Sequence, residues 1–467
     1  MNELKGYNFK ADVHLYEFDG VKIFLDVNSG AVHLLDDLAF MFLSNLVDAD
    51  GDFSKAVYMT SLRYPIEEVK EVEEEIKEAV KQKTLFTSRE KIDLDLNSMR
   101  IKALCLNVAH VCNMKCRYCF AGQGNFGGKP SLMSKDTGKK ALDFLVQRSG
   151  NIRNLEVDFF GGEPLLNFEV VKSLIAYGRE LEKKTGKKFN FTLTTNAVLL
   201  NEKILDYLVD ENISLILSLD GRKETNDRNR ILNNGQGTYD LIVPHIKMTK
   251  AKKPISFYVR GTFTRDNLDF VSDVKHIVDL GIDALSLEPA VGENEDEFAI
   301  KKEDLPQVLK EYENLTRLLW EYYERGKEIL FFHYNLNLMG GPCIAKRITG
   351  CGAGFEYLAV TPEGDIYPCH QFIGDDCYYM GNVWTGELRE EIKAVFAQNN
   401  LNNKEECLDC WARYFCGGGC HANNLKRNCD MKKPDEISCT MHRKRIEGAI
   451  YLDIMKRLQK NNPLAGI

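Results

Sequence analysis

The chain has 467 residues, which is enough for one to three domains with sizeable hydrophobic cores. Apolar residues make up 44% and charged residues 28%, as in ordinary globular proteins, and no apolar run approaches the ~18 to 20 residues that span a bilayer. The formal net charge of -8 would repel a polyphosphate backbone, so neither nucleic acid nor a membrane is an expected partner.

The N-terminal residues mix charges of both signs with aromatic side chains and show none of the features of a signal peptide. We therefore expect a cytoplasmic location. In that reducing compartment the 14 cysteines stay free thiols unless a metal uses them.

Residues 1–90 are predicted to form a separate unit. The alternating runs HLYEF, VKIFLDV and AVHLL predict short strands broken by Asp-Gly and Asn-Ser-Gly turns. Helices follow in DDLAFMFLSNLV and in the charged amphipathic stretch PIEEVKEVEEEIKEAVKQK. The pattern resembles a small winged-helix fold, but its helices lack a basic face, which argues against DNA binding.

From residue 103 onward, apolar β-rich runs alternate with helical patterns. The runs are ALCLNVAH, LEVDFFG, FNFTLTTN, ISLILSLDG, ISFYVRGTFT and ALSLEPA. Six such units predict a parallel sheet with crossover helices. Active sites of barrels lie at the carboxyl ends of the strands, where this chain has Thr195, Asn196, Ser218, Asp220, Arg260 and Glu288.

Three cysteines, Cys112, Cys116 and Cys119, form C-x3-C-x2-C after the first of these strands. A [4Fe-4S] cluster normally takes four thiolates, so three ligands would leave one iron open for chemistry. Zinc would need a fourth ligand, for which His110 is available at an unusual spacing. The polar residues between the three cysteines argue against a purely buried role.

The second strand ends in Gly161, Gly162, Glu163 and Pro164. Glycines permit a close approach of the backbone to a ligand. Taken alone, the same residues are also typical of an ordinary strand-to-helix turn with Glu163 in the first helical turn.

Seven further cysteines lie near the C-terminus. They are Cys351, Cys369, Cys407, Cys410, Cys416, Cys420 and Cys439. Their central run, C-x2-C-x5-C-x3-C, includes Gly417–Gly419, which would let the backbone turn tightly around a cluster. Paired C-x2-C elements also build zinc ribbons, so zinc is the competing interpretation.

CNMKCRYC followed by GGEP resembles the signature of radical S-adenosylmethionine (SAM) enzymes. The resemblance implies a partial (β/α)6 TIM-like barrel, a cluster on Cys112, Cys116 and Cys119, and SAM chelated by its open iron and cleaved to an adenosyl radical. It places the SAM amino group at the GGEP turn and the SAM carboxylate near Ser218 and Arg230. The cofactor-binding residues it implies are Tyr118, Gly161, Gly162, Glu163, Pro164, Thr195, Asn196, Ser218 and Arg230.

The C-terminal cysteines resemble the SPASM extension of radical SAM enzymes, which binds two auxiliary [4Fe-4S] clusters. The resemblance implies a distal cluster on Cys407, Cys410, Cys416 and Cys439, and a nearer one on Cys351, Cys369 and Cys420. Cys343 stands where some relatives supply a fourth ligand to the nearer cluster. Without it, a substrate thiolate could bind an open iron there. Cys105, Cys377 and Cys429 receive no role.

The order of parts resembles the maturases of SCIFF peptides, small cysteine-rich precursors in which a cysteine sulfur is joined to a carbon of another residue, typically threonine. The resemblance implies a leader-recognition domain in 1–90, a barrel in 98–310, a SPASM domain in 335–445 and a C-terminal helix or tail in 446–467. Expected partners are the precursor peptide, its leader added as a strand to a sheet edge, and a reduced flavodoxin or ferredoxin-type electron donor.

Three alternatives accompany this interpretation. Residues 1–90 could be a structural cap on the barrel. The scaffold also resembles sulfatase-maturing enzymes, which oxidise Cys or Ser to formylglycine but generally lack such an N-terminal unit. A ferredoxin-like electron carrier would need neither GGEP nor a barrel.

Overall fold

A computed structural model describes residue 4 and residues 6–89, 94–95, 99–336, 338 and 344–461 of the chain. The strands are β1 (Val13–Phe18), β2 (Val21–Asp26), β3 (Val32–Leu35), β4 (Ala103–Ala109), β5 (Met114–Cys116), β6 (Asn154–Gly161), β7 (Lys188–Thr195), β8 (Ser214–Ser218), β9 (Arg230–Leu232), β10 (Phe257–Phe263), β11 (Ala284–Pro289), β12 (Leu330–Phe331), β13 (Tyr357–Val360), β14 (Asp365–Tyr367) and β15 (Gly381–Asn382).

The helices are α1 (Phe9–Asp12), α2 (Asp37–Asp48), α3 (Phe53–Ser61), α4 (Ile66–Lys81), α5 (Lys135–Arg148), α6 (Phe168–Thr185), α7 (Glu202–Asp210), α8 (Lys223–Asn229), α9 (Tyr239–Lys252), α10 (Phe270–Asp279), α11 (Leu305–Glu324), α12 (Ile344–Thr349), α13 (Glu390–Gln398), α14 (Glu405–Leu408), α15 (Arg413–Cys416), α16 (His421–Asn428) and α17 (Glu436–Asn461). Among the described residues, none of these helices has the length and apolar content that crossing a bilayer requires.

The largest sheet has the strand order β12-β11-β10-β8-β7-β6-β4-β13-β14-β15. Its strands from β12 to β13 pair in parallel. The six predicted strands, β4, β6, β7, β8, β10 and β11, lie side by side in chain order and are connected by crossover helices. The predicted α/β class and parallel arrangement are therefore confirmed.

The C-terminal region continues this sheet. Strand β13 pairs in parallel with β4, Tyr357 opposite Ala103, and β14 and β15 add antiparallel strands. Two predicted boundaries fall inside helices, because residue 310 lies in α11 and residue 446 lies in α17.

The N-terminal unit contains the antiparallel sheet β1-β2-β3 and helices α1 to α4, of which α1 and α3 are absent from the sequence prediction. Both faces of β2 are buried. Phe24 packs into a core formed with the N-terminal helices, whereas Ile23 and Leu25 join the main core of the protein. The continuous apolar run in VKIFLDV thus reflects a strand enclosed between two layers.

Candidate functional site

The first three cysteines lie on the loop that follows β4. Strand β5 of this loop pairs antiparallel with β9, and Cys116 stands opposite Arg230. The three sulfurs lie near enough to influence one another's protonation. Burial raises the pKa of Cys112 to about 11 and that of Cys116 to about 12, while the charge of Arg230 opposes both shifts. Ligation of a metal would have to displace those protons.

The Gly161-Gly162 pair lies directly against the cysteine loop. The Gly162 amide donates to Ala109 O at 2.7 Å, and the Glu163 amide donates to Val111 O at 2.9 Å. A Cβ atom at Gly161 would lie 2.3 Å from Ala109 O, and one at Gly162 would lie 2.1 Å from Val111 O. A side chain at either position would therefore collide with backbone that carries the cysteines.

Glu163 joins the ends of β6 and β7. Its fully buried carboxylate accepts hydrogen bonds from the Thr195 hydroxyl at 2.6 Å, the Asn196 amide at 2.8 Å and the Leu165 amide at 3.0 Å. Burial raises the pKa of Glu163, and these donors oppose the shift. Glu163 occupies the N-cap of the short 3-10 turn Pro164–Asn167, one position ahead of the first helical turn.

Asn196 links β7 to the cysteine loop. Its Nδ2 donates to Asn113 Oδ1 at 2.8 Å and lies 3.8 Å from Cys112 Sγ. The strand ends that sequence analysis selected at Glu163, Thr195 and Asn196 therefore form one connected network around the first cysteine.

A second network lies behind Cys116. The Tyr118 hydroxyl donates to Asp220, with oxygen distances of 2.7 and 2.9 Å, and accepts from Arg230 Nη1 at 3.2 Å. Burial raises the pKa of Asp220 to about 6, while the Arg230 charge and the Tyr118 hydroxyl oppose the shift. Ser218 ends β8 two residues before Asp220, in register with Arg260 of β10.

The C-terminal cysteines form two groups. Cys407, Cys410, Cys416 and Cys439 line one cavity of about 110 Å³. Cys351, Cys369 and Cys420 lie within electrostatic range of one another. Between the groups, Gly417, Gly418 and Gly419 all have positive φ, at 75°, 89° and 75°, a conformation that side chains disfavour.

A family model described as the radical SAM superfamily matches residues 106–269, and one described as the SPASM iron-sulfur cluster-binding domain matches residues 351–411. The chain therefore contains a radical SAM domain and a SPASM domain. The resemblance inferred from CNMKCRYC, GGEP and the C-terminal cysteines is thereby confirmed.

Two curated relatives show the spread of this family. The radical SAM cyclopropyl synthase TigE of Paramaledivibacter caminithermalis is 24% identical over 367 residues, which cover 74% of this chain and 73% of TigE. A cysteine-type anaerobic sulfatase-maturating enzyme of Clostridium perfringens is 26% identical over 343 residues, which cover 69% of this chain and 88% of that protein.

Solved structures share the fold. Native anSMEcpe with bound AdoMet has a TM-score of 0.64 and 21% identity, covering 76% of this chain and 99% of that one. SuiB of Streptococcus suis bound to precursor peptide SuiA has a TM-score of 0.53 and 17% identity, covering 91% of this chain and 98% of that one. The SuiB match leaves out 9% of this chain, which is fewer than 90 residues. The match therefore includes part of residues 1–90.

The donor sets of this radical SAM protein are thiols, the ligands that iron-sulfur clusters take. Across the described ranges, no group of three or more His, Cys, Asp or Glu side chains is arranged to hold a single metal ion. Iron-sulfur clusters fit the four thiols that line one cavity. They also fit the three thiols of the loop after β4, which is held by close contacts with Gly161 and Gly162. Cys343 lies outside the described residues.

Three cysteines have no predicted role: Cys105, Cys377 and Cys429. Cys377 and Cys429 are exposed. Cys105 is buried in β4, and its thiol lies within electrostatic range of Cys369.

A cavity of about 120 Å³ lies between the end of β11 and the segment 420–445. Glu288 at the end of β11 lines it together with Cys420, His333, His442 and Arg445. Although burial favours its protonated form, the charges of Arg260 and Arg445 lower the pKa of Glu288. Burial lowers the pKa of His333 to about 4, so that its imidazole is neutral at pH 7.

Sequence reasoning selected Glu288 and Cys420 but missed the other side chains of this cavity. His333, His442 and Arg445 belong to segments that follow the barrel strands, and no motif marks them. A polar residue directly after an apolar strand is a recognisable signal, whereas a polar residue on one face of the long helix α17 is not.

Proposed function

We propose that this radical SAM protein is a peptide maturase that forms a thioether between a cysteine sulfur and a carbon of another residue, typically threonine, in a ribosomally made cysteine-rich precursor. The observation that carries the peptide assignment is the N-terminal three-stranded sheet, which is packed onto the main core and has an edge strand bordering a groove. SuiB, whose structure was solved with precursor peptide SuiA bound, supports a peptide substrate.

The edge strand is β3. Among the described strands it pairs with β2 alone. Its residues Val32 to Leu34, with the preceding Ala31, line a groove of about 520 Å³ whose other wall includes Ile454 and Leu458 of α17. An extended leader could add to this edge through main-chain hydrogen bonds and place its apolar side chains in the groove. The recognition role of residues 1–90 rests on this geometry.

The residues proposed to hold the cofactors are those described above. Cys112, Cys116 and Cys119 would hold the SAM cluster, with the GGEP turn, Tyr118, Thr195, Asn196, Ser218 and Arg230 around SAM. The two C-terminal groups would hold auxiliary clusters, with the ligation of Cys343 open. When bound, SAM and its cluster supply the one-electron chemistry that removes a hydrogen atom from the substrate.

The protein's own contribution is to bind and orient the peptide. The cavity beside Cys420 would receive a substrate side chain next to the nearer cysteine group, and its enclosure by Tyr312 and Met441 would exclude water. The network of Tyr118 with the buried Asp220 and Arg230 would hold the cysteine loop in one conformation.

A second candidate is a sulfatase-maturing enzyme that oxidises Cys or Ser to formylglycine. It is favoured by the match to the C. perfringens sulfatase-maturating enzyme and by the higher TM-score of anSMEcpe. That structure covers 76% of this chain, against 91% for SuiB, so the precursor-peptide assignment accounts for more of the chain.

The deciding experiment uses anaerobically reconstituted protein with SAM, a reductant and either a cysteine-rich precursor peptide or a sulfatase peptide. We expect 5'-deoxyadenosine together with loss of two hydrogen atoms from the precursor, located by tandem mass spectrometry at a cysteine and an acceptor residue. Formylglycine in the sulfatase peptide alone would establish the second candidate. No 5'-deoxyadenosine from fully loaded protein would overturn both.

A single proline tests the edge-strand proposal. The Asp26 amide donates to Ala31 O at 2.9 Å, so in the alternating antiparallel pattern the backbone groups of Val32 and Leu34 point away from β2. Leu34→Pro removes one outward N–H and leaves the β2 pairing intact. We expect about tenfold weaker binding of a fluorescent leader peptide, since a lost hydrogen bond and a steric clash together cost about 1.4 kcal/mol.

Leu34→Ala is the matched control, because it removes the same side chain and keeps the N–H. It should bind the leader more tightly than Leu34→Pro. Equal affinities of the two variants would show that the leader does not pair with this edge.

A further inference from the structure

Lys404 is a buried cation with few partners. It lies at the start of α14, is 1% exposed, and is among the largest fully buried side chains of the described chain. Its ammonium donates to Gly418 O at 2.8 Å. Within the described residues, no carboxylate lies within ion-pair distance of it. A buried ammonium is costly unless other groups balance its charge.

The groups around this ammonium belong to both C-terminal cysteine sets. Cys407 and Cys416 of one set, and Cys351 and Cys420 of the other, lie within electrostatic range of it. Gly418, which accepts its hydrogen bond, lies on the three-glycine turn that joins Cys416 to Cys420. Lys404 therefore lies between the two sets.

Iron-sulfur clusters bound by these thiolates would supply the negative charge that balances the Lys404 ammonium. Each cluster held by cysteine thiolates carries net negative charge, and reduction adds one more electron. A fixed cation nearby stabilises the reduced form, and net charge and hydrogen bonding are principal determinants of cluster potential.

We propose that Lys404 is a shared countercharge for the two SPASM clusters and raises the reduction potential of both. The proposal rests on the assignment of clusters to the two cysteine sets and deepens the proposed function. Lys404 would act through the clusters as a positioning and tuning residue, without touching the substrate.

The test is a redox titration of Lys404→Met followed by electron paramagnetic resonance. Methionine keeps an unbranched chain of similar length and removes the charge. We expect the midpoint potentials of both auxiliary clusters to shift to lower values, and that of the SAM cluster to stay in place. Lys393→Met is the control: Lys393 is 21% exposed on α13, pairs with Glu390, and should leave every potential unchanged.

Each outcome decides the proposal. Unchanged auxiliary potentials in Lys404→Met with wild-type iron content would overturn it. If Lys404→Met loses the auxiliary clusters, Lys404→Arg separates charge from packing: retention of clusters supports the proposal, and their loss contradicts it. Peptide modification is measured on the same wild-type preparation. If the midpoint potentials shift as expected but the peptide is not modified, the proposed function is refuted and the role of Lys404 stands.

Discussion

Replacement of Cys116 by alanine is expected to reduce 5'-deoxyadenosine formation to the level of a reaction without protein. Cys116 lies on β5, opposite Arg230 and beside the Tyr118 hydroxyl network, where no other thiol can substitute for it among the described residues. With three proposed ligands, loss of one removes the cluster, and with it the site at which SAM is cleaved. Liquid chromatography of the nucleoside product and iron analysis check this result.

Two further variants separate this effect from general damage. Cys416→Ala alters the SPASM group that lines the 110 Å³ cavity, so we expect it to retain 5'-deoxyadenosine formation and to lose peptide modification. Cys377 is exposed and belongs to neither group, so Cys377→Ala should match the wild-type protein in both assays. Normal SAM cleavage by Cys116→Ala would contradict the assignment of the SAM cluster.

The parallel sheet could be predicted because its strands are strongly apolar and bounded by clear turns. The run FNFTLTTN predicts a strand that the structure places at Lys188–Thr195, with alternate side chains buried. The β13 strand was missed for the opposite reason. It has four residues and pairs with β4, which lies about 250 residues earlier in the chain, so no local pattern indicates it.

The roles of the site residues were only partly accessible from the motif. GGEP predicts a functional turn, and the structure adds a specific reason for glycine at position 162: a Cβ atom there would collide with Val111 O on the cysteine loop. Glu163 accepts hydrogen bonds from Thr195, which ends the next strand, and from Asn196, which follows it. The parallel topology of the two strands brings these residues together. Motif spacing locates such residues, whereas hydrogen-bond partners require the fold.

Buried charges are the residues that sequence reasoning misses most completely. Lys404 lies in the polar segment NNKEE and Arg413 in the aromatic segment WARYF, and neither pattern indicates a buried charge. The structure buries both, at 1% and 2% exposure. Their environment comes from chain segments far away in sequence, which single-sequence patterns cannot show.

Arg413→Met is expected to destabilise the docking of the N-terminal unit by about 3 kcal/mol, the lower end of the cost of breaking a buried ion pair. The guanidinium donates to Ala11 O at 2.6 Å, Asp12 Oδ1 at 2.5 Å and Asn28 Oδ1 at 2.7 Å. Arg89 also donates to Asp12, at 2.9 Å, so the carboxylate keeps one partner in the variant. Amide hydrogen exchange in β1 and β2 should accelerate by about 100-fold.

Arg317→Met provides the matched comparison, because Arg317 also joins the N-terminal unit to the barrel through an Arg–Asp pair. Its partner is Asp19 on the turn between β1 and β2, and both side chains are 36% exposed. An exposed pair contributes about 0 to 1 kcal/mol, since water and salt screen it. Exchange should therefore change by less than about fivefold in this variant. If both variants accelerate amide hydrogen exchange equally, burial of the Arg–Asp pair does not determine how much the pair stabilises the docking of the N-terminal unit. If only Arg413→Met does, the N-terminal unit is anchored on the segment that carries Cys410 and Cys416.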